Sequence, residues 1–133
     1  GLRRDWSSDV CSSDLGDRHT GKYGPDGRLF ISFRCRSPKH LAKGRPFEGD
    51  WVGWVGTWDD IVDGRDGQYS VRLKDNTKGY DTTYPGVEVL SDGTFVTTTY
   101  GHWKKDEDPY ILSVRLKLSE LDVMVARGEI MTK

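Results

Sequence analysis

With 133 residues the chain falls in the length range of one domain, and 20 Lys plus Arg against 21 Asp plus Glu leave a net charge of -1. That balance removes the electrostatic case for nucleic acid or an anionic membrane as partner. No apolar run approaches the roughly 18 residues that a membrane span needs, and the two cysteines, Cys11 and Cys35, neither make a disulfide framework nor show zinc-type spacing.

Residues 5–15, DWSSDVCSSDL, read back codon by codon into a stretch that resembles a widely used short-read sequencing adapter. Residues 1–15 are therefore expected to lie outside the fold, Cys35 to stand alone, and the natural chain to continue upstream with any signal peptide missing. Strands are predicted near 18–24 and 28–35, on either side of Asp26-Gly27. An Asp-Gly pair between alternating apolar runs signals a hairpin, because both residues accept positive φ. Next, WVGWVGTW at 51–58 is apolar on both faces and broken by Gly53 and Gly56, which suits a strand covered on both sides. Residues 68–74 alternate Tyr69, Val71 and Leu73 with polar neighbours, the pattern of a half-buried strand. Three more strands follow, near 84–90, 94–101 and 109–118. Only the end reads as helix: Ser119 and Asp122 form a capping box, Leu118, Leu121 and Val125 recur at helical spacing, and Gly128 can end it.

An internal repeat organises these elements. RHTGKYGPDGRLFISFR, from Arg18 to Arg34, aligns with YPGVEVLSDGTFVTTTY, from Tyr84 to Tyr100, at a constant offset of 66 that superimposes the two Asp-Gly turns. Ser70-Val71-Arg72-Leu73-Lys74 is echoed at Ser113-Val114-Arg115-Leu116-Lys117. The expected fold is all-β: a partial β-propeller of about two antiparallel four-stranded-type blades with a short C-terminal helix, residues 16–83 being one blade and 84–133 the next plus the helix. A β-sandwich is the alternative, since seven short strands can also form two sheets.

Residues 16–19 (GDRH), PDGRLFISFR, GDWVGWVGTWDDIVDGRDGQYSVRLKDN, YPGVEVLSDGTFVTTTYGHW and PYILSVRLKLSELD together resemble the last two blades of sialidase-like six-bladed β-propellers of the BNR type. The resemblance implies a fragment of an exo-acting glycoside hydrolase with a tyrosine nucleophile, a retaining mechanism, secretion or a periplasmic location, and missing upstream blades. It implies that side chains at the starts of the innermost strands face a central pocket, which selects Arg18 and Tyr84. A phenol can approach an anomeric centre that bears a carboxylate without charge repulsion, provided that a carboxylate elsewhere takes its proton. Tyr84, eight residues before Asp92-Gly93, is the candidate nucleophile, with a core tyrosine as the alternative. Glu88 shares its strand face but is not the family's partner glutamate. Arg18 would contact an anionic or hydroxylated sugar group.

The family's arginine at the entry to the third strand of the penultimate blade is replaced by Asp50-Trp51, with Arg45 in the loop before it, and TWDDIVDGRDG stands in place of an Asp box. Those departures favour the other reading, a non-catalytic propeller that binds carbohydrate or acts as a scaffold. Asp17, His19, Trp51, Trp54 and His102 suit a glycan or sugar ligand, aromatic faces stacking on the ring and polar groups holding hydroxyls; for Trp51 and Trp54, packing is the alternative. No metal or cofactor is expected. GDRHTGK lacks the Ser/Thr of a P-loop, the three histidines lack ligand spacing, and DGRDG lacks the ligand ladder of a calcium loop.

Overall fold

The computed structural model describes residues 16–36 and 49–128. The expectations for residues 1–15 and Arg45 fall outside them. The elements are β1 (Gly16–Tyr23), β2 (Leu29–Cys35), β3 (Trp51–Gly56), α1 (Trp58–Val62), β4 (Tyr69–Lys74), β5 (Gly86–Val89), β6 (Phe95–Gly101), β7 (Tyr110–Leu116) and α2 (Leu118–Ala126). They form two antiparallel sheets in which every strand pairs with its neighbour in sequence: β1-β2-β3-β4 and β5-β6-β7. The four strands of the first sheet and the three of the second match the strands expected in each half of the sequence.

The 66-residue repeat holds in the hydrogen bonds. In the first hairpin Gly24 N–H bonds the Arg28 carbonyl at 2.7 Å, and in the second Leu90 N–H bonds that of Thr94 at 2.8 Å. Asp26 accepts from Arg28 N–H at 3.0 Å, and Asp92 from Thr94 N–H at 2.9 Å. Gly27 and Gly93 both sit at φ 85°, a conformation that costs glycine little. The register repeats as well: Gly21 faces Ile31 as Val87 faces Thr97.

One face of the first sheet meets the second. Phe30, Val55, Tyr69 and Val71 pack with Val87, Phe95 and Leu116, and α2 adds Leu118, Leu121 and Val125. Gly53 makes room for Phe30, whose ring would lie 2.7 Å from a Cβ placed there. Within this apolar layer the Ser32 hydroxyl accepts from the Trp51 indole at 2.7 Å and from Thr97 Oγ1 at 3.0 Å, so the buried polar atoms are satisfied. The two sheets come closest along β1 and β5. The other face of the first sheet carries a second cluster, with Leu29, Ile31, Phe33, Cys35, Val52 and Trp54.

Three local expectations are corrected. The third strand ends at Gly56, because Thr57 and Asp60 form a reciprocal capping box at 3.1 and 2.8 Å that starts α1 and leaves Trp58 exposed. The Ser119–Asp122 box is not made; Lys117 is the N-cap residue of α2 and makes no side-chain cap bond. Asp122 is taken instead by Arg28, through two bonds of 2.9 Å, and by the Tyr69 hydroxyl at 2.5 Å, which ties α2 to the first sheet. Charge-assisted, bidentate bonds outweigh a local cap. Finally, Cys35 does not stand alone: it is buried and disulfide-bonded.

Candidate functional site

The end of the sheets where β1 starts and β2 and β6 finish carries a cluster of arginines and tyrosines. Arg18 lies at the irregularity in β1 between Asp17 and Thr20, at φ 59°, and its guanidinium carbon sits 3.7 Å from the centre of the Tyr84 ring. The Arg18 Nε is buried and has no hydrogen-bond partner. Tyr84 is exposed, lies two residues ahead of β5, and bonds Thr99 Oγ1 through its backbone N–H at 3.0 Å. Its ring is near-parallel to that of Tyr100, 6.4 Å away at 15°. Among the described residues no hydrogen bond reaches the Tyr84 hydroxyl.

Thr83, which precedes Tyr84, is fully buried at φ 70°. Left-handed backbone costs a β-branched residue or an arginine of order 1–3 kcal/mol, and such strain concentrates at functional sites. Here it falls on Arg18 itself and on the residue before Tyr84.

Around this pair the remaining groups are locked together. Arg34 is buried and binds Asp17 through both edges of its fork, Nε at 2.8 Å and Nη2 at 2.6 Å, and bonds the Tyr80 carbonyl at 2.5 Å. Arg36 adds a bond of 3.2 Å to Asp17. Burial would raise the Asp17 carboxyl, but the bonds from Arg34 and Arg36 outweigh it and hold the group below the usual carboxylate range. His102 is buried, with Nε2 2.6 Å from Asp81 Oδ2, and the Tyr100 hydroxyl donates to Asp81 Oδ1 at 3.1 Å. The bond to His102 is the main reason that Asp81 lies below its ordinary range. Burial, together with the bond to Asp81, raises the Tyr100 phenol, against the pull of Arg18 and Arg34. Beside His102 opens a cleft of about 460 Å³ that Thr77, Lys78 and the 104–109 loop line.

Of the residues expected in a sugar site, Arg18, Tyr84, Asp17 and His102 thus lie at this end. His19 stacks on Phe33 at 5.0 Å, on the sheet face opposite the second sheet, and lines a different cavity with Ile31, Ile61 and Asp66. Trp51 has no accessible surface; its indole is spent on Ser32 and on Trp103, 5.7 Å away, which removes it from the sugar contacts. Trp54 is also core, bonded to the Asp66 carbonyl at 2.7 Å. Sequence reasoning missed Arg34, Tyr100 and Asp81. The first two are the closing residues of the same repeat alignment that Arg18 and Tyr84 open, a signal that was present in the offset.

Asp50, which stands where the resembled family carries an arginine, is buried and accepts from Asn76 N–H at 2.9 Å and from Arg72 at 3.2 Å. Burial, with Asp75 nearby, pushes its pKa up to about 6. A carboxyl that ionises less readily in the fold than in the unfolded chain stabilises the fold at low pH, and that contribution is lost as pH rises through 6. Replacing Asp50 by asparagine should therefore gain stability relative to the parent between pH 4 and pH 7, by on the order of 2 kcal/mol. Urea melts across that range check it, and parallel curves for the two chains would contradict it.

Compared with protein-family models, curated proteins and solved structures, the chain gives no match.

Proposed function

We propose that this chain is part of a sialidase-like β-propeller whose exo-acting glycoside hydrolase site includes Tyr84 as nucleophile and Arg18 as a sugar contact. The observation that carries the reading is the Arg18–Tyr84 pair: two repeat-equivalent positions, one in β1 and one just ahead of β5, in contact at 3.7 Å, with left-handed backbone at Arg18 and at Thr83. Two sequential meanders related by a constant offset and nearest to each other at their first strands also suit neighbouring blades around an axis. An exposed phenol beside the Arg18 guanidinium offers hydrogen bonding and ring contact to a sugar. The general acid and the carboxylate that activates Tyr84 would come from residues outside those described.

A second reading, carbohydrate binding without turnover, is favoured by one feature: no carboxylate bonds the Tyr84 hydroxyl among the described residues. Saturation-transfer NMR on the natural reading frame that contains this chain, with a panel of methyl glycosides, tests what the two readings share. At least one sugar should bind, and Tyr84→Ala and Arg18→Ala should each weaken it about tenfold. A protein that is folded but binds no sugar would end both readings.

A further inference from the structure

The three arginines of the site are not equivalent. A ligand carboxylate is read best by the two parallel N–H groups of a guanidinium fork. In Arg34 that fork is already filled, since Nε and Nη2 bond the two oxygens of Asp17 at 2.8 and 2.6 Å and Nη1 is turned to the Tyr80 carbonyl. Arg36 reaches the same carboxylate at 3.2 Å. The contact is built into the sheet, because Asp17 on β1 and Arg34 on β2 are directly paired across the strands. Arg18, one residue on, binds no carboxylate among the described residues, and its buried Nε has no partner.

We propose that Asp17 is a specificity-determining residue: its carboxylate holds the Arg34 fork as a ligand carboxylate would, so Arg34 is closed to a carboxylate of the sugar. Arg18 is then left to contact a hydroxyl or a single peripheral anionic group. The choice of sugar rests on the glycan reading above; the occupancy of the fork does not.

The test therefore has two arms. In the first, the arginine Nε–Hε resonances of the parent chain, Asp17→Ala and Asp17→Asn are followed by NMR during titration with sodium acetate, at ionic strength matched with chloride. The Arg34 resonance should stay still in the parent and shift saturably in the variants, with an apparent affinity at least about tenfold higher. Equal response in parent and variants, a silent Arg34 in a folded variant, or failure of both variants to fold would overturn the proposal, the last by making Asp17 structural. In the second arm, the same three proteins are compared on a methyl sialoside and its neutral methyl ester. The parent should not prefer the acid, whereas Asp17→Ala should prefer it about tenfold. A parent that prefers the acid by that margin contradicts the proposal; if no protein binds either sugar or any of the methyl glycosides, the glycan reading fails while the acetate arm still decides the role of Asp17.

Discussion

Replacing Phe30 by alanine should lower the unfolding free energy by about 3–5 kcal/mol, the range for deleting a fully buried aromatic ring. Phe30 has no accessible surface and lies at the junction of the two sheets, 5.2 Å from the Phe95 ring at a tilt of 52°. Its slot is shaped by a glycine: Phe30 pairs with Val55, and its ring lies over the neighbouring Gly53, which has no side chain that could turn into the void. Removal therefore loses the transfer free energy and the aromatic contact with Phe95, and leaves a cavity between the sheets. Small domains are stable by only about 5–15 kcal/mol, so one such change takes a large part of the total. Urea denaturation of the two chains measures it, and a difference under about 1 kcal/mol would mean that the sheets are not held together through Phe30.

On the proposed glycosidase reading, Tyr84→Phe should lower kcat by at least about 10³-fold while leaving sugar affinity within about twofold. The substitution removes only the hydroxyl. The ring that packs under the Arg18 guanidinium and beside Tyr100 is kept, and so is the backbone bond to Thr99. An effect confined to kcat separates a nucleophile from a stacking residue, whose loss would appear in affinity. Steady-state kinetics with aryl glycosides provide the comparison. Unchanged turnover in the variant would remove Tyr84 from the chemistry and leave the binding reading.

The strands could be read from the chain because two kinds of local signal agree. Period-two alternation marks 69–74 and 110–116, and Asp-Gly turns fix the hairpins at Gly27 and Gly93. The short helix α1 was hidden because its start, Thr57 to Asp60, follows six apolar or glycine residues that read as continuous strand, and a capping box of two hydrogen bonds outweighed that pattern. Asp122 shows the opposite failure. Its local signal was correct for a cap, yet the carboxylate is used by Arg28, 94 residues away, a partner that no short-range pattern reveals.

The site divides the same way. The contact between Arg18 and Tyr84 could be anticipated from the repeat, whose offset of 66 makes them equivalent positions at the starts of the two sheets. Arg34 and Tyr100 share that offset but become site residues only when the sheets pack and the 76–85 segment lays Tyr80 and Asp81 against them. The fate of Trp51 depended on what covers the strand. Trp103 covers it, and that contact links residues more than fifty positions apart.

On the proposed glycosidase reading, the most direct test is to trap the nucleophile. The protein is incubated with 2-deoxy-2-fluoroglycosyl fluorides of the sugars that it binds, then digested and mapped by mass spectrometry; a retaining mechanism predicts a covalent glycosyl adduct on Tyr84. An adduct on another residue, or none from a protein that turns over the matching aryl glycoside, would contradict the assignment.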